Sequence, residues 1–470
     1  MGFDSKWPQI WGQKSYLFVV SRVECRTIFI DAQIQLMKSF VKENEDSWLQ
    51  FVQRTFFVPI AEFHRRYDTV IVCFDNYGNV PVFKSIEQNR RVAGGSAFKF
   101  KAGDTLPSRP CNSEIWKQAL LNRSFKSNII SLITSLMATE YVPPRRGTTL
   151  VIDFVNSTRI DYKTKGQTRV ILEEMKAMGE SDVKFMRYIP LFGDMCVDSI
   201  DSDVLLIAAL FVARNAYAGN LYVRRYKTRL PPAVSAGKKR KLAAEAQGKT
   251  PVVTPDRKKL EYEIIHVNLL LKVLQARMHE FSATLEPLKN GPEKGQEGEI
   301  ASCEAPDTAH LTAMLSFLVL LSGSDYSRKL PRIGAKSLWD NMDIIVPAMQ
   351  VCTSYQENIF KVHEERTMNL LLATLYARIF PKHAMLSVVT TAPLHTGRLE
   401  NVLFQLQRSQ LSAKTKLDLP TVQSLTTMLH NIEWVVNYWA VENGDPICPV
   451  DGSCGFKLEN NRVVFSDAHS

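Results

Sequence analysis

Several apolar runs in this chain stop abruptly at an acid, and that punctuation limits the fold more than anything else in the sequence. CRTIFIDAQ ends at Asp31, TVIVCFDN at Asp75 and LVLLSGSDY at Asp325; VDSIDSDVLL carries Asp201 and Asp203, and GESDVKFM carries Glu180 and Asp182. A short β-branched and aromatic run closed by a carboxylate reads as a buried parallel strand delivering charge to the carboxyl edge of a sheet. Open α/β sheets place their ligands at that edge. One such acid is ordinarily a turn residue or a helix cap. Seven gathered there would repel one another unless divalent cations neutralised them. The residues point to a magnesium-dependent enzyme acting on phosphates.

Strand and helix alternate from residue 26. Strands are expected at 27–31, 69–74, 147–156 and 195–200, with helices at 34–41, 48–63, 113–137, 180–188 and 203–213 and a polar helix from about residue 83. This order predicts an α/β fold with a doubly wound, mainly parallel sheet. Residues 229–258 are rich in Pro, Ala and Lys without an apolar period, and 286–308 are rich in Gly and Glu. Both read as disordered insertions. Between them 262–278 returns to strand and helix, and after Asp325 the pattern is mostly helical, at 344–349, 368–379 and 421–440.

The net charge is +10. A chain that lines one cleft with acids and is still basic overall carries its positive charge elsewhere, which suits a nucleic-acid partner. The cysteines lack zinc-ligand spacing. Cys73 and Cys196 lie in strand-like runs as buried apolar residues of a reducing compartment, and the Cys448–Cys454 loop has no second pair. No apolar run reaches eighteen residues and no secretory signal is visible, so the expectation is an intracellular protein with no membrane contact. Lys238 to Lys241 (KKRK) is either a nuclear-localisation segment or a solvated charge run.

The densest chemistry is Glu180-x-Asp182 followed by Asp201-x-Asp203. Near a helix N-terminus both acids of the first pair can face one opening, favoured by the dipole. The second pair, read as a strand end of period two, projects to one side. Two cations about 4 Å apart need several such carboxylates to hold them and to activate water. After Asp75, residues Lys84, Gln88 and Arg91 fall on one helix face, fit for a scissile or terminal phosphate. Arg90 points elsewhere, toward solvent or a neighbouring phosphate. In SGSDYSRKLPRIGAKSLWD, Gly323 and Gly334 bracket Asp325, and Lys329, Arg332 and Lys336 add charge. A helical hairpin of this kind grips a duplex backbone through exposed N–H groups, with or without a monovalent cation.

Together these motifs resemble the flap-endonuclease superfamily of 5′-nucleases, a PIN-like fold that includes the 5′→3′ exoribonucleases. The likeness runs from Met1-Gly2 to about residue 345. It takes in Asp31, the FDG-like Phe74-Asp75-Asn76, the helix with Lys84 and Arg91, Glu180-x-Asp182 for E-x-E, Asp201-x-Asp203 for D-x-D, and Gly323 to Gly334 for GxDY…GIG. The resemblance implies two-metal phosphodiester hydrolysis. Asp31, Asp75, Glu180, Asp182, Asp201, Asp203 and Asp325 would hold two Mg2+ (Mn2+ substituting), with Lys84 and Arg91 catalytic. Gly2, Gln88, Arg90, Gly323, Tyr326, Lys329, Arg332, Gly334 and Lys336 would meet nucleic acid, and the hairpin would take a monovalent cation. It also divides the chain: 1–91 and 147–345 form the nuclease core, 92–146 a cap or arch, and 346–470 a mostly helical region.

Asp182 is one methylene shorter than the family's glutamate, and Arg332 replaces the first glycine of G-I-G. GESDVKFMRYI and the Lys84-Gln88-Arg91 face are similar to the exoribonuclease branch, whereas the spacing from Asp325 to Gly334 follows the flap-endonuclease branch. The substrate is therefore left between DNA with a 5′ flap or junction and 5′-phosphorylated RNA. A monomer is expected, and no sliding-clamp motif is visible. A catalytically silent nucleic-acid-binding scaffold is the alternative of another class.

Overall fold

The structure, a computed structural model, describes residues 17–42, 45–75, 113–172, 180–201, 203–226, 262–282, 307–322, 338–342, 345–346, 349, 353–356, 359–362, 432–439, 456–459 and 462–465. In chain order the elements are β1 (Val19–Val20), β2 (Thr27–Asp31), α1 (Ala32–Lys38) and α2 (Trp48–Val52), the last running through a π-turn (Gln53–Phe57) into α3 (Val58–His64). Then come β3 (Thr69–Cys73), α4 (Ser113–Leu121), α5 (Arg123–Glu140), β4 (Thr148–Asp153), β5 (Ser157–Tyr162) and β6 (Gln167–Ile171). They are followed by α6 (Ser181–Phe192), β7 (Met195–Asp198), α7 (Asp203–Arg214), β8 (Leu221–Tyr226), β9 (Tyr262–His266), α8 (Val267–Ser282) and α9 (Thr308–Leu321). The hairpins β10 (Thr353–Gln356) with β11 (Ile359–Val362) and β12 (Phe456–Glu459) with β13 (Arg462–Phe465) follow.

Nine strands form one sheet in the order β1-β9-β8-β7-β2-β3-β4-β5-β6. Its centre, β8-β7-β2-β3-β4, is parallel throughout. The two strands at each edge are antiparallel. The mainly parallel sheet of the sequence reading is thus the core of the sheet, framed by antiparallel edges. The chain leaves β2 toward β3 and β4 on one side and later fills β7 and β8 on the other. Strand order therefore reverses between β2 and β7, which makes their carboxyl ends the topological switch point.

Alternation along the strands sorts side chains onto two faces. Phe29, Ile71, Val151, Val197 and Val223 pack with α6, α7, α8 and α9 on one face. Ile28, Ile30, Val70, Val72, Leu150 and Ile152 pack with α1 to α5 on the other. The central strands are apolar on both sides because both sides are covered. By the same alternation Asp31 and Asp153, two residues beyond Phe29 and Val151, turn toward the face that α6 and α7 occupy.

Local boundaries have clear causes. The expected helix from 34 onward is interrupted after Lys38, where Ser39 is extended, and resumes at Trp48 with Ser47 as N-cap. The stretch 113–137 is two helices, because Asn122 leaves helical geometry to cap α5 through a bond from the Phe125 N–H at 3.0 Å. These helices, within the span read as a cap, lie against the sheet through Trp116, Phe125, Ile129 and Ile133. Helix α6 stops at Gly193, whose φ of +70° would strain any side chain. Beyond residue 346 the described segments include a helix at 432–439 and both hairpins, so that region is not helical alone. Cys73 and Cys196 are fully buried. No helix among the described residues is long and apolar enough to cross a membrane.

Candidate active site

Asp31 ends β2 and caps α1, accepting the Gln33 N–H at 3.1 Å through Oδ1. It is nevertheless buried at 6% exposure, which is unusual for a cap. Asp75 lies two residues past the end of β3, the strand hydrogen-bonded to β2. Between the two stands Ser181, the first residue of α6. Its hydroxyl is 3.0 Å from Oδ1 of Asp31 and 3.0 Å from Oδ1 of Asp75, and its N–H donates to the same Asp75 oxygen at 3.0 Å.

The chain of contacts continues on the other side of Asp31. The Ser199 hydroxyl reaches Asp31 Oδ2 at 3.4 Å and accepts the Asp201 N–H at 3.1 Å, and the Asp203 N–H donates to Asp201 Oδ1 at 3.3 Å. Acids from β2, β3 and the loop after β7 are thus stitched into one row by two serine hydroxyls at the switch point. Glu180 and Asp182 flank Ser181 on the chain, as N-cap and first-turn acid of α6. Both are buried, as is Asp203.

The pair Asp201 and Asp203 corrects the sequence reading in one respect. β7 ends at Asp198, and Asp203 opens α7. The pair spans a loop-to-helix entry, with Asp201 accepting the orphan N–H of the helix start, and does not project from a strand of period two. The E-x-D pair does stand at a helix N-terminus. Asp325, Gly2, Lys84, Gln88, Arg90, Arg91, Gly323, Tyr326, Lys329, Arg332, Gly334 and Lys336 lie outside the described residues.

Electrostatics mark Asp31 out. Burial, then repulsion from Asp75 and Asp201, pushes its carboxyl up to about 7, against bonds from Ser181 and Gln33 that favour the ion. Two lysines face this charge. Lys126, in the first turn of α5, is within electrostatic reach of Asp75 and Asp31, and burial lowers its pKa despite them. Because α5 runs back toward the start of β4, its first turn belongs to the carboxyl edge. Lys38, at the end of α1, is likewise lowered by burial while Asp198 and Asp31 raise it.

Behind Asp75 lies a second, closed network. The Lys184 ammonium, three residues along α6 from Ser181, bonds Asp153 Oδ1 at 2.7 Å and the Phe74 carbonyl at 3.0 Å. Tyr188 donates to Asp153 Oδ2 at 2.6 Å, and Ser157 is 2.7 Å from the Tyr188 hydroxyl. Burial alone would lower Lys184, but Cys73 and Asp153 outweigh it and hold the ammonium above its usual value. Sequence reasoning missed Ser181, Ser199, Asp153 and Lys184. Two signals were visible: a serine inside an acid pair, and Asp153 closing the apolar run TTLVID as Asp31 closes its own.

The donors that converge are carboxylate oxygens, hard ligands suited to Mg2+ or Mn2+. Among the described residues no group of three His, Cys, Asp or Glu closes into a cation-sized cluster. The acids that meet are spaced by the two serine hydroxyls. The donor chemistry is of the kind that a divalent cation takes.

No family model matches the chain, and no curated protein sequence matches it. Three solved structures of the catalytic core of Rad2 in complex with DNA substrate are among those it is similar to. Complex III has 12% sequence identity over 92% of this chain and 98% of that one, with a TM-score of 0.35. Complexes II and IV have 13% identity at the same coverage, with TM-scores of 0.33 and 0.32. A likeness at this level assigns neither an activity nor a site residue. The sheet order and the row of acids carry those arguments.

Proposed function

We propose that the chain is a metal-dependent 5′-nuclease of the flap-endonuclease superfamily, hydrolysing phosphodiester bonds in nucleic acid. The observation that carries the reading is the junction at the switch point, where the Asp31 and Asp75 carboxylates share the Ser181 hydroxyl, Ser199 links Asp31 to the Asp201 backbone N–H, and the Asp201 charge acts on Asp31. A buried carboxylate pressed against two others is costly as a purely structural device. Divalent cations would neutralise the cluster and supply a nucleophilic hydroxide and Lewis-acid stabilisation of the phosphorane-like charge.

The chain's own residues divide the remaining work. Asp31, Asp75, Glu180, Asp182, Asp201, Asp203 and Asp325 would hold the cations directly or through water. Lys84 and Arg91 would stabilise charge developing on the scissile phosphate, and Gln88 on their helix face would help orient a terminal phosphate. Lys126 adds a cation on the α5 side of the same opening. Burial of Asp31, Glu180, Asp182 and Asp203 keeps bulk water from those four acids, which strengthens the interactions they make. The overall charge of +10 favours the polyanion, and the hairpin from Gly323 to Lys336 would hold its duplex portion.

The test is cleavage of 5′-flap DNA and of 5′-phosphorylated RNA, with and without Mg2+. Wild-type protein is expected to cut one of them only with Mg2+, and Asp201→Asn to abolish cutting while retaining binding. Undiminished turnover by Asp201→Asn in Mg2+ would remove the site assignment. Preference for RNA with a 5′ monophosphate over a 5′ hydroxyl selects the exoribonuclease branch, whose 5′-phosphate pocket the spacing of Lys84, Gln88 and Arg91 resembles. Binding with no metal-dependent hydrolysis selects the silent scaffold.

A further inference from the structure

Helix α6 begins with a residue whose two donors serve neither the helix nor solvent. Glu180 occupies the N-cap, so the hydroxyl of Ser181, one residue in, is not engaged in capping. Ser181 is buried at 2% exposure, and both of its donors point at carboxylates of adjacent strands. A hydroxyl has a single hydrogen. The hydroxyl lies 3.0 Å from Oδ1 of both Asp31 and Asp75, and Asp75 Oδ1 also receives the Ser181 N–H at 3.0 Å, so the hydroxyl is the donor through which Ser181 reaches Asp31. One residue thereby supplies one donor to each of two acids that repel each other.

We propose that Ser181 is a positioning residue that sets Asp31 and Asp75 at their working separation before any divalent cation binds. It rests on the nuclease reading for what those acids then do. The physical argument is preorganisation. When both are ionised, two neighbouring carboxylates repel, and a cation that must gather them loses affinity. Charge-assisted bonds to fixed donors hold them in place beforehand. Ser199 does the same on the far side of Asp31, at 3.4 Å from Oδ2, with its own position tied to the Asp201 N–H. Lys184, on the same face of α6, holds the Phe74 carbonyl just before Asp75 at 3.0 Å. Helix α6 therefore locates the end of β3 at two points.

Three substitutions separate positioning from folding. Ser181→Ala removes the donor to Asp31 and keeps the N–H to Asp75. Ser181→Thr restores the hydroxyl. Ser181→Pro removes both donors at the first helical position, where proline is tolerated, and Glu180 is already in the extended conformation (φ −112°, ψ 142°) that precedes proline. The readouts are the Mg2+ dependence of cleavage and calorimetric titration of the substrate-free protein with Mn2+. Ser316→Ala serves as a control, since that buried helical serine bonds only the Thr312 carbonyl.

Ser181→Ala is expected to raise the half-saturating Mg2+ and the Mn2+ dissociation constant about ten-fold, the worth of one charge-assisted bond. Turnover at saturating Mg2+ should stay near the wild-type rate. Ser181→Thr should recover both constants, Ser181→Pro should lose more than Ser181→Ala, and Ser316→Ala should shift neither. The proposal is overturned if Ser181→Ala titrates like wild type, if Thr fails to rescue, or if turnover collapses at every Mg2+ concentration with Mn2+ binding intact. Wild-type protein that binds Mn2+ and cleaves nothing defeats the nuclease reading and leaves the calorimetric comparison decisive for Ser181. Wild-type protein that takes up no Mn2+ overturns both.

Discussion

Asp153 and Asp31 close two strands of the same sheet, turn toward the same face, and are treated in opposite ways. Asp153, at 2% exposure, receives the Lys184 ammonium at 2.7 Å and the Tyr188 hydroxyl at 2.6 Å. Its charge is answered inside the protein. Asp31 is nearly as buried, but its hydrogen bonds come from two serines and one amide, and its close electrostatic neighbours include Asp75 and Asp201. Among the described residues no cation bonds it directly, and the lysines that feel its charge, Lys126 and Lys38, act only at a distance. Asp153 has an ammonium partner within the protein, whereas Asp31 takes its hydrogen bonds from neutral donors and stands beside other acids, the arrangement on which the proposed cation site rests.

That contrast breaks most readily at Lys184. Lys184→Met would leave Asp153 buried without a positive partner, and losing one member of a buried ion pair costs about 3–5 kcal/mol. Urea unfolding of the variant should show a loss of that order, and replacing Asp153 by Leu in the same chain should recover much of it. A loss under about 1 kcal/mol, the range of exposed pairs, would mean that Asp153 is not compensated as described.

The second prediction concerns the acid without compensation and is smaller. The Asp31 carboxyl titrates near 7 in the folded protein, against an ordinary value of 3.8. Between those limits the native state holds a proton that the unfolded chain has released, so metal-free stability falls as pH rises, by at most about 1.4 kcal/mol per pH unit. Across pH 5 to 7 the decline attributable to this group should be on the order of 2 kcal/mol. Above 7 its contribution levels off. Asp31→Asn should flatten the slope and be the more stable protein at pH 8. Unfolding curves for the two proteins at pH 5, 6, 7 and 8 in chelator provide the check, and parallel slopes would contradict the burial of an uncompensated charge.

The sheet was readable because its central strands are short apolar runs ended by acids, and burial on both faces leaves the sequence no freedom to disguise them. Asp31 and Asp75 could be placed at the carboxyl edge for the same reason. Other parts depended on partners remote in the chain. Ser181 meets Asp31 across 150 positions and Lys184 meets Asp153 across 31, and no local pattern reports such a meeting. The β5–β6 hairpin escaped notice because its outer strand is exposed along its whole length, so it lacks an apolar signal. Asp201 and Asp203 were read at period two because the apolar run before them was carried past Asp198, where the strand ends.

Asp198 supplies the finest test of the distinction between the two kinds of acid, and the smallest effect. It pairs in register with Ile30, so it turns toward the opposite face from Asp31 although it is one residue from the same switch point. Burial pushes its carboxyl up to about 6, opposed by Arg224 and Lys38. Arg224 Nε lies 3.6 Å away, with its guanidinium 3.8 Å from the Tyr262 ring centroid. An acid with a cation of its own, pointing away from the row, should behave like Asp153 in miniature. Asp198→Asn is therefore expected to leave the Mg2+ titration of cleavage where wild type has it. If Asp198→Asn instead silences cleavage as Asp201→Asn is expected to do, then the face a strand-end acid occupies does not decide its role. The division between compensated and cation-seeking carboxylates would then have to be redrawn around the whole edge.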